Sequence, residues 1–245
     1  MSPEALLLAA LFFAAAVLYA SVGHAGASAY VAAMALLGTT PDVMRPTALI
    51  LNLFVASVVV VRFARAGHLP SRSLLPLVVG SIPSAFVGGS IDLPAEIYRP
   101  LVAAVLLVGA WRLASTNVGP DAGDRGVPVV AGVASGAAIG ILAGLTGTGG
   151  GIFLTPLLVL AGWAAPRDAA GLSGAFILAN SASGLAGLAI GGVTIPGALP
   201  VWIVAVVAGG LIGSWLGAVR YSILGLRRVL AGVLVLGALK LAFFP

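Results

Sequence analysis

Charged residues are so sparse in this chain that they divide it like marks on a ruler. No Asp, Glu, Lys or Arg falls between Glu4 and Asp42, a gap of 37 residues. The following gaps are 16 (Arg45 to Arg62), 19 (Arg72 to Asp92), 12 (Arg99 to Arg112), 41 (Arg125 to Arg167), 51 (Asp168 to Arg220) and 11 (Arg228 to Lys240). Only 8% of the 245 residues are charged, against about 25% in soluble domains. Such a chain cannot cover itself with a wetted surface, so it is read as an integral membrane protein.

A spanning helix takes about 20 apolar residues. The four shorter gaps each fit one helix, with flanking Arg or Lys snorkelling to the interface. The longest fits two, with a turn near Gly191-Gly192-Val193-Thr194-Ile195-Pro196. The gaps of 37 and 41 residues are too long for one span, and glycines split both. The N-terminal apolar run has Glu4 and no basic residue before it. It reads as a first membrane segment rather than a cleaved signal.

The chain repeats itself. Residues 101–114, LVAAVLLVGAWRLA, match residues 229–242, VLAGVLVLGALKLA, at seven of fourteen positions, and Arg112 falls on Lys240. Gly23-His24-Ala25-Gly26 precedes Gly147-Thr148-Gly149-Gly150 by 124 residues, and Pro41-Asp42 precedes Pro166-Arg167 by 125. Their common order implies duplication. The predicted units are an N-terminal repeat over 1–114, a polar linker over 115–127 and a C-terminal repeat over 128–245. Each has five segments: 4–22, 26–38, 45–62, 73–91 and 97–113, then 128–146, 150–163, 168–190, 197–219 and 226–243.

Basic loops exchange places between the repeats. Arg62, Arg65 and Arg72 follow the third segment of the first, whereas Arg220, Arg227 and Arg228 follow the fourth segment of the second. The positive-inside rule then predicts inverted topology, with both termini outward. The expected fold class is all-α, two inverted repeats of about five segments, each opening with a re-entrant or broken helical hairpin. The short second segments, about 20 Å long at helical rise, favour the re-entrant form.

The hairpin breaks are the candidate site. In hydrocarbon, non-helical backbone survives only when buried in protein or lining a polar cavity. A helix starting after Gly147-Thr148-Gly149-Gly150-Gly151 exposes about four N–H groups at its positive end. Those groups suit an anion without any Arg or Lys in the hairpin. Thr148 offers a hydroxyl. The first hairpin offers Ser21, Gly23, His24, Gly26 and Ser28. His24 is read either as an anion donor or proton carrier, or as a neutral imidazole bound to a backbone carbonyl. Asn52, Asn180 and Ser181 are expected to line the route. The competing reading is that the glycines only let helices pack closely.

Other chemistries fit less well. Every carboxylate sits at a segment end or in a loop, which argues against cation transport. There is no cysteine, so thiolate metal sites are excluded. No strand precedes the glycines and no Walker lysine follows them, so no nucleotide or other cofactor is expected. Gly171-Leu172-Ser173-Gly174 matches a rhomboid-type protease motif, but no histidine follows His68, so an enzyme is not expected. The net charge of +5 reflects cytoplasmic loops, and nucleic acid is not an expected partner.

"AGLTGTGGGIFLTPLLVLAGW" resembles the G-x-G-G-G…P-L-L signature of the sulfite exporter TauE/SafE family of membrane permeases. "YASVGHAGASAYVAAMALLG" and "AGHLPSRSLLPLVVGSIPSAFVGG" resemble the family's first-half counterpart and following helix. Ala25 and Ala27 leave the first hairpin less glycine-rich than the second. The resemblance implies a permease of the bacterial inner membrane carrying sulfite or an organosulfonate, often outward, by alternating access. A coupling proton and a homodimer stay open, as do an anion channel and a non-transporting scaffold.

Overall fold

A computed structural model describes residues 2–115, 125–218 and 224–243. It contains α1 (Pro3–Ala20), α2 (Ala27–Leu36), α3 (Pro41–Arg65), α4 (Ser71–Ser90), α5 (Ala95–Ser115), α6 (Val129–Thr146), α7 (Gly151–Leu160), α8 (Pro166–Leu188), α9 (Leu199–Ala218) and α10 (Leu224–Phe243). One 3-10 turn, Ala189–Gly191, extends α8. No strand occurs among the described residues. Most of the expected linker, 116–124, and the residues between α9 and α10 lie outside them.

Local sequence starts the helices where they start. Ser2 accepts from the Ala5 amide at 3.2 Å, Pro3 opens the first turn of α1 and Glu4 meets its positive end. Pro41 with Asp42, and Pro166 with Asp168, likewise place a proline and a carboxylate in the first turns of α3 and α8, without a side-chain cap. Six helices are long and apolar enough to cross a membrane, α3 and α8 among them.

One boundary corrects the sequence reading. Segment three was expected to begin at 45, with Asp42 and Arg45 as flanking loop charges. Instead α3 runs from Pro41, which buries Arg45 one turn inside the helix. Helix initiation by Pro41 and Asp42 outweighs the cost of the charge, because carbonyl groups surround it (below).

α2 and α7 have ten residues each, which at helical rise is about 15 Å, half of a bilayer core. Nine of the ten residues of α2 are buried, so it lies within protein. Left-handed glycines precede both helices, Gly26 at φ +104° and Gly150 at φ +82°. An L residue pays for that conformation and glycine does not. The chain is therefore broken between α1 and α2 and again between α6 and α7, where the hairpin turns were expected.

Packing pairs the two sets of helices crosswise. α1 packs on α9, and α6 on α4. α2 packs on α10, while Gly109 of α5 abuts Ile152 of α7. α3 crosses α8, and α5 lies along α10. The crossings are close because glycine meets backbone: Gly88 faces the Ile141 carbonyl, and Gly213 the Val17 carbonyl. With no hydrophobic drive between helices in lipid, small residues at such points permit dispersion contacts. Gly88→Val should lower unfolding stability by about 3 kcal/mol through overpacking. Gly232→Ala, whose Cβ would meet nothing within 4 Å, should leave it unchanged or slightly raised. Thermal unfolding of the purified variants in detergent checks both.

Candidate functional site at the hairpin tips

The two breaks meet. His24, in the first hairpin, places Nε2 3.1 Å from the Gly151 carbonyl and 3.0 Å from Thr155 Oγ1 in the second. Its Nδ1 lies 3.1 Å from the Val22 carbonyl. Thr155 Oγ1 is in turn 2.6 Å from Ser173 Oγ on α8. A neutral imidazole has one N–H and cannot donate to both carbonyls. The ring carries its proton on Nδ1 and accepts from Thr155, carries it on Nε2 and donates to Gly151, or is an imidazolium donating to both carbonyls. In each state the ring bridges the hairpins.

Around Gly149 lies a second polar cluster. Asn52 Nδ2 donates to Ser181 Oγ at 3.3 Å, joining α3 to α8. A Cβ placed on Gly149 would sit 2.5 Å from Asn52 Nδ2 and 3.2 Å from Ser181 Oγ. The backbone at Gly149 thus faces both side chains directly. Asn52, Asn180 and Ser181 are fully buried. Asn52 Oδ1 and both polar atoms of Asn180 have no protein partner. Buried polar groups left this way are costly, and a polar ligand is one means of satisfying them.

Both short helices present uncapped positive ends. Neither α2 nor α7 has a side-chain hydrogen bond at its N-cap. The opposing ends are treated differently. At the first break, the Ser21 hydroxyl donates to the Leu18 carbonyl at 2.6 Å, and the His24 amide donates to Tyr19 at 2.9 Å. At the second, Arg45 intervenes. Its Nη2 donates to the carbonyls of Gly144 (3.0 Å), Gly88 and Gly89 (both 3.2 Å), and its Nη1 to Ile91 (3.2 Å). Gly144 belongs to the last turn of α6, and Gly88 and Gly89 to the last turn of α4. One guanidinium thereby offsets the negative ends of two helices. At the second tip this leaves the positive end of α7 as the unopposed helix charge.

Several of the expected site residues have partners within the protein. Thr148 was expected to offer its hydroxyl to a ligand. Because Thr146 donates to the Leu142 carbonyl at 2.7 Å, the 2.8 Å bond between the two threonines is donated by Thr148. Its proton is spent inside the hairpin. Ser28 shares a 2.7 Å bond with Tyr19. Gly23 packs on Ala170, and Gly147 lies against the Arg45 backbone. Gly26 starts α2 directly under the Tyr30 ring, whose hydroxyl donates to the Ala25 carbonyl. Neither hairpin contains Arg or Lys, but Arg45 of α3 reaches the end of α6.

Thr155, Ser173 and Arg45 were missed. Thr155 lies four residues after Gly151, one helical turn on, so the period alone places it beneath the break. Ser173 was dismissed with its protease motif, yet it closes the chain from His24 through Thr155. The other histidine, His68, pairs with Asp168 at 2.8 Å at the start of α8.

A family model described as "Sulfite exporter TauE/SafE" matches residues 7–241. A curated protein of Sinorhizobium fredii (strain NBRC 101917 / NGR234), "Probable membrane transporter protein y4hK", is 37% identical over 245 residues, covering 98% of this chain and 99% of its own. No solved structure matches.

Proposed function

Because the chain belongs to the sulfite exporter TauE/SafE family of multi-pass membrane transporters, we propose that it is a secondary transporter of a small sulfur oxyanion or organosulfonate. The anion binds where the two hairpin tips meet. The reading rests on one observation above the rest: the positive end of α7, the Asn52 side chain and Ser181 converge on Gly149, and Asn180, buried without a protein partner, is the residue before Ser181 on α8. Amide N–H groups at the start of α7 and the Asn180 amide supply donors. Asn52 and Ser181 complete the wall, and α2 contributes its own N-terminus from the other side.

Residues 1–114 and 128–245 act as two inverted repeats. The crosswise packing of α1 on α9 and α6 on α4 supports this, as does the exchange of basic loops between them. Rocking of one bundle against the other exposes the tips to each side in turn. Transport runs outward. Binding and translocation need no bond to be made or broken, so the protein is not an enzyme.

His24 carries the coupling proton. With a single proton on Nδ1 it accepts from Thr155, and with a second proton on Nε2 it donates to the Gly151 carbonyl, so one proton changes the bond that spans the tips. His24→Asn should retain anion flux in proteoliposomes but lose its acceleration by a pH gradient. An unchanged response to the gradient would remove His24 from the coupling step.

The experiment that tests the substrate class is uptake and efflux of sulfite, sulfate, thiosulfate and sulfoacetate in proteoliposomes. A transporter gives saturable flux and counter-transport of at least one sulfur anion. Non-saturating flux without counter-transport would instead indicate a channel.

A further inference from the structure

We propose that the groove along the cytoplasmic end of α3, flanked by Leu211 of α9, is a binding site for an anionic phospholipid. The groove has a volume of about 620 Å³ and is walled by Val58, Val61 and Leu211, with Arg62 and Arg65 at its rim. α3 and α9 are already in contact beside it, where a Cβ placed on Gly210 would sit 3.3 Å from Val55 Cγ1. The groove therefore opens beyond a closed crossing rather than between separated helices.

Three properties select the ligand. Arg62 and Arg65 are three residues apart, so they lie on one face of α3. Neither is paired with a carboxylate among the described residues, in which the only ion pair is His68 with Asp168. Two adjacent guanidinium groups suit a phosphodiester, which can accept from both. Below them the wall is apolar, which a free oxyanion does not use and an acyl chain does. Finally, the site sits at the end of a spanning helix, just before the stretch of sequence that carries Arg72. The positive-inside rule puts that end in the cytoplasmic leaflet, where anionic lipids concentrate. Basic clefts between helices on this side are suited to lipid headgroups. The bound lipid would brace α3, which carries Arg45 and Asn52, against α9.

The test is lipid retention by native mass spectrometry, with thermal unfolding, in purified protein titrated with phosphatidylglycerol. Wild type should retain the lipid and unfold at higher temperature. Arg62→Gln with Arg65→Gln should weaken retention about thirtyfold, since each basic residue near an anionic surface contributes about 1 kcal/mol. Leu211→Trp, which fills the groove and leaves both arginines, should also lose it. That variant keeps the test decisive if the double substitution folds poorly. Arg72→Gln, outside the groove, should bind as wild type does. Equal retention by the double variant would overturn the site. So would an equal shift with phosphatidylcholine, or with inorganic phosphate, the latter indicating a free-anion site.

Discussion

Gly149→Ala is expected to silence transport in a protein that still folds. Gly149 stands at φ +73°, where an alanine costs about 1–2 kcal/mol. The larger effect is positional. The added methyl would lie 2.5 Å from Asn52 Nδ2 and 3.0 Å from Ile177 Cγ2, filling the space on which the donors converge. Hydrogen bonds to a charged group contribute about 1.5–3 kcal/mol each. Losing one or two of them predicts anion affinity weaker by about tenfold to ten-thousandfold. Gly67→Ala is the control, because Gly67 has φ +79° and open space around its Cβ position. It pays the same backbone strain without touching the tips, so its flux should match wild type. Flux of sulfite or sulfoacetate in proteoliposomes, normalised to folded protein, separates the two.

Arg45→Met should produce the largest loss of stability, about 3–5 kcal/mol. The methionine approximates the aliphatic stem but donates nothing to the carbonyls of Gly88, Gly89, Ile91 and Gly144. A buried acceptor stripped of its donor costs about 1–3 kcal/mol, and rearrangement recovers part of the sum. Arg45→Lys should recover less than half, because a single ammonium cannot reproduce the planar fork that reaches two helix ends. A second consequence separates this residue from an ordinary structural one. Without the guanidinium, the negative end of α6 lies unopposed beside the positive end of α7. Anion affinity should therefore fall even at temperatures where the variant is fully folded. Circular dichroism melts and equilibrium binding on the same preparation read the two effects independently.

Much of the architecture was legible because a bilayer imposes one-dimensional rules. Charge-free length marks helices, and glycine clusters mark breaks, so α2 and α7 emerged as short second members of hairpins. The same rule failed at Arg45. A charge was read as a boundary, whereas here it is buried where two helix ends supply carbonyl oxygens. Pro41-Asp42, a helix-opening pair, was the local sign that Arg45 lies inside α3. The site was legible as chemistry and less so as geometry. Gly149, Asn52 and Ser181 could be nominated from residue type and setting. That Asn52 bonds Ser181, 129 positions away, depends on how α3 crosses α8, and no local pattern encodes that crossing. His24 meeting Gly151 and Thr155 is of the same kind. Thr148 shows the converse, where the right residue type sits at the right place but spends its hydrogen on Thr146.

The central claim is that backbone amides at the tip of the second hairpin hold the anion. Protein labelled with ¹⁵N-glycine, reconstituted and titrated with whichever of sulfite, sulfate, thiosulfate or sulfoacetate shows the highest flux, tests it most directly. The account predicts downfield amide proton shifts at Gly149, Gly150 and Gly151 that saturate together with transport, while Gly67 and Gly192 stay still. Saturable transport of that anion with the three tip amides unmoved would contradict it.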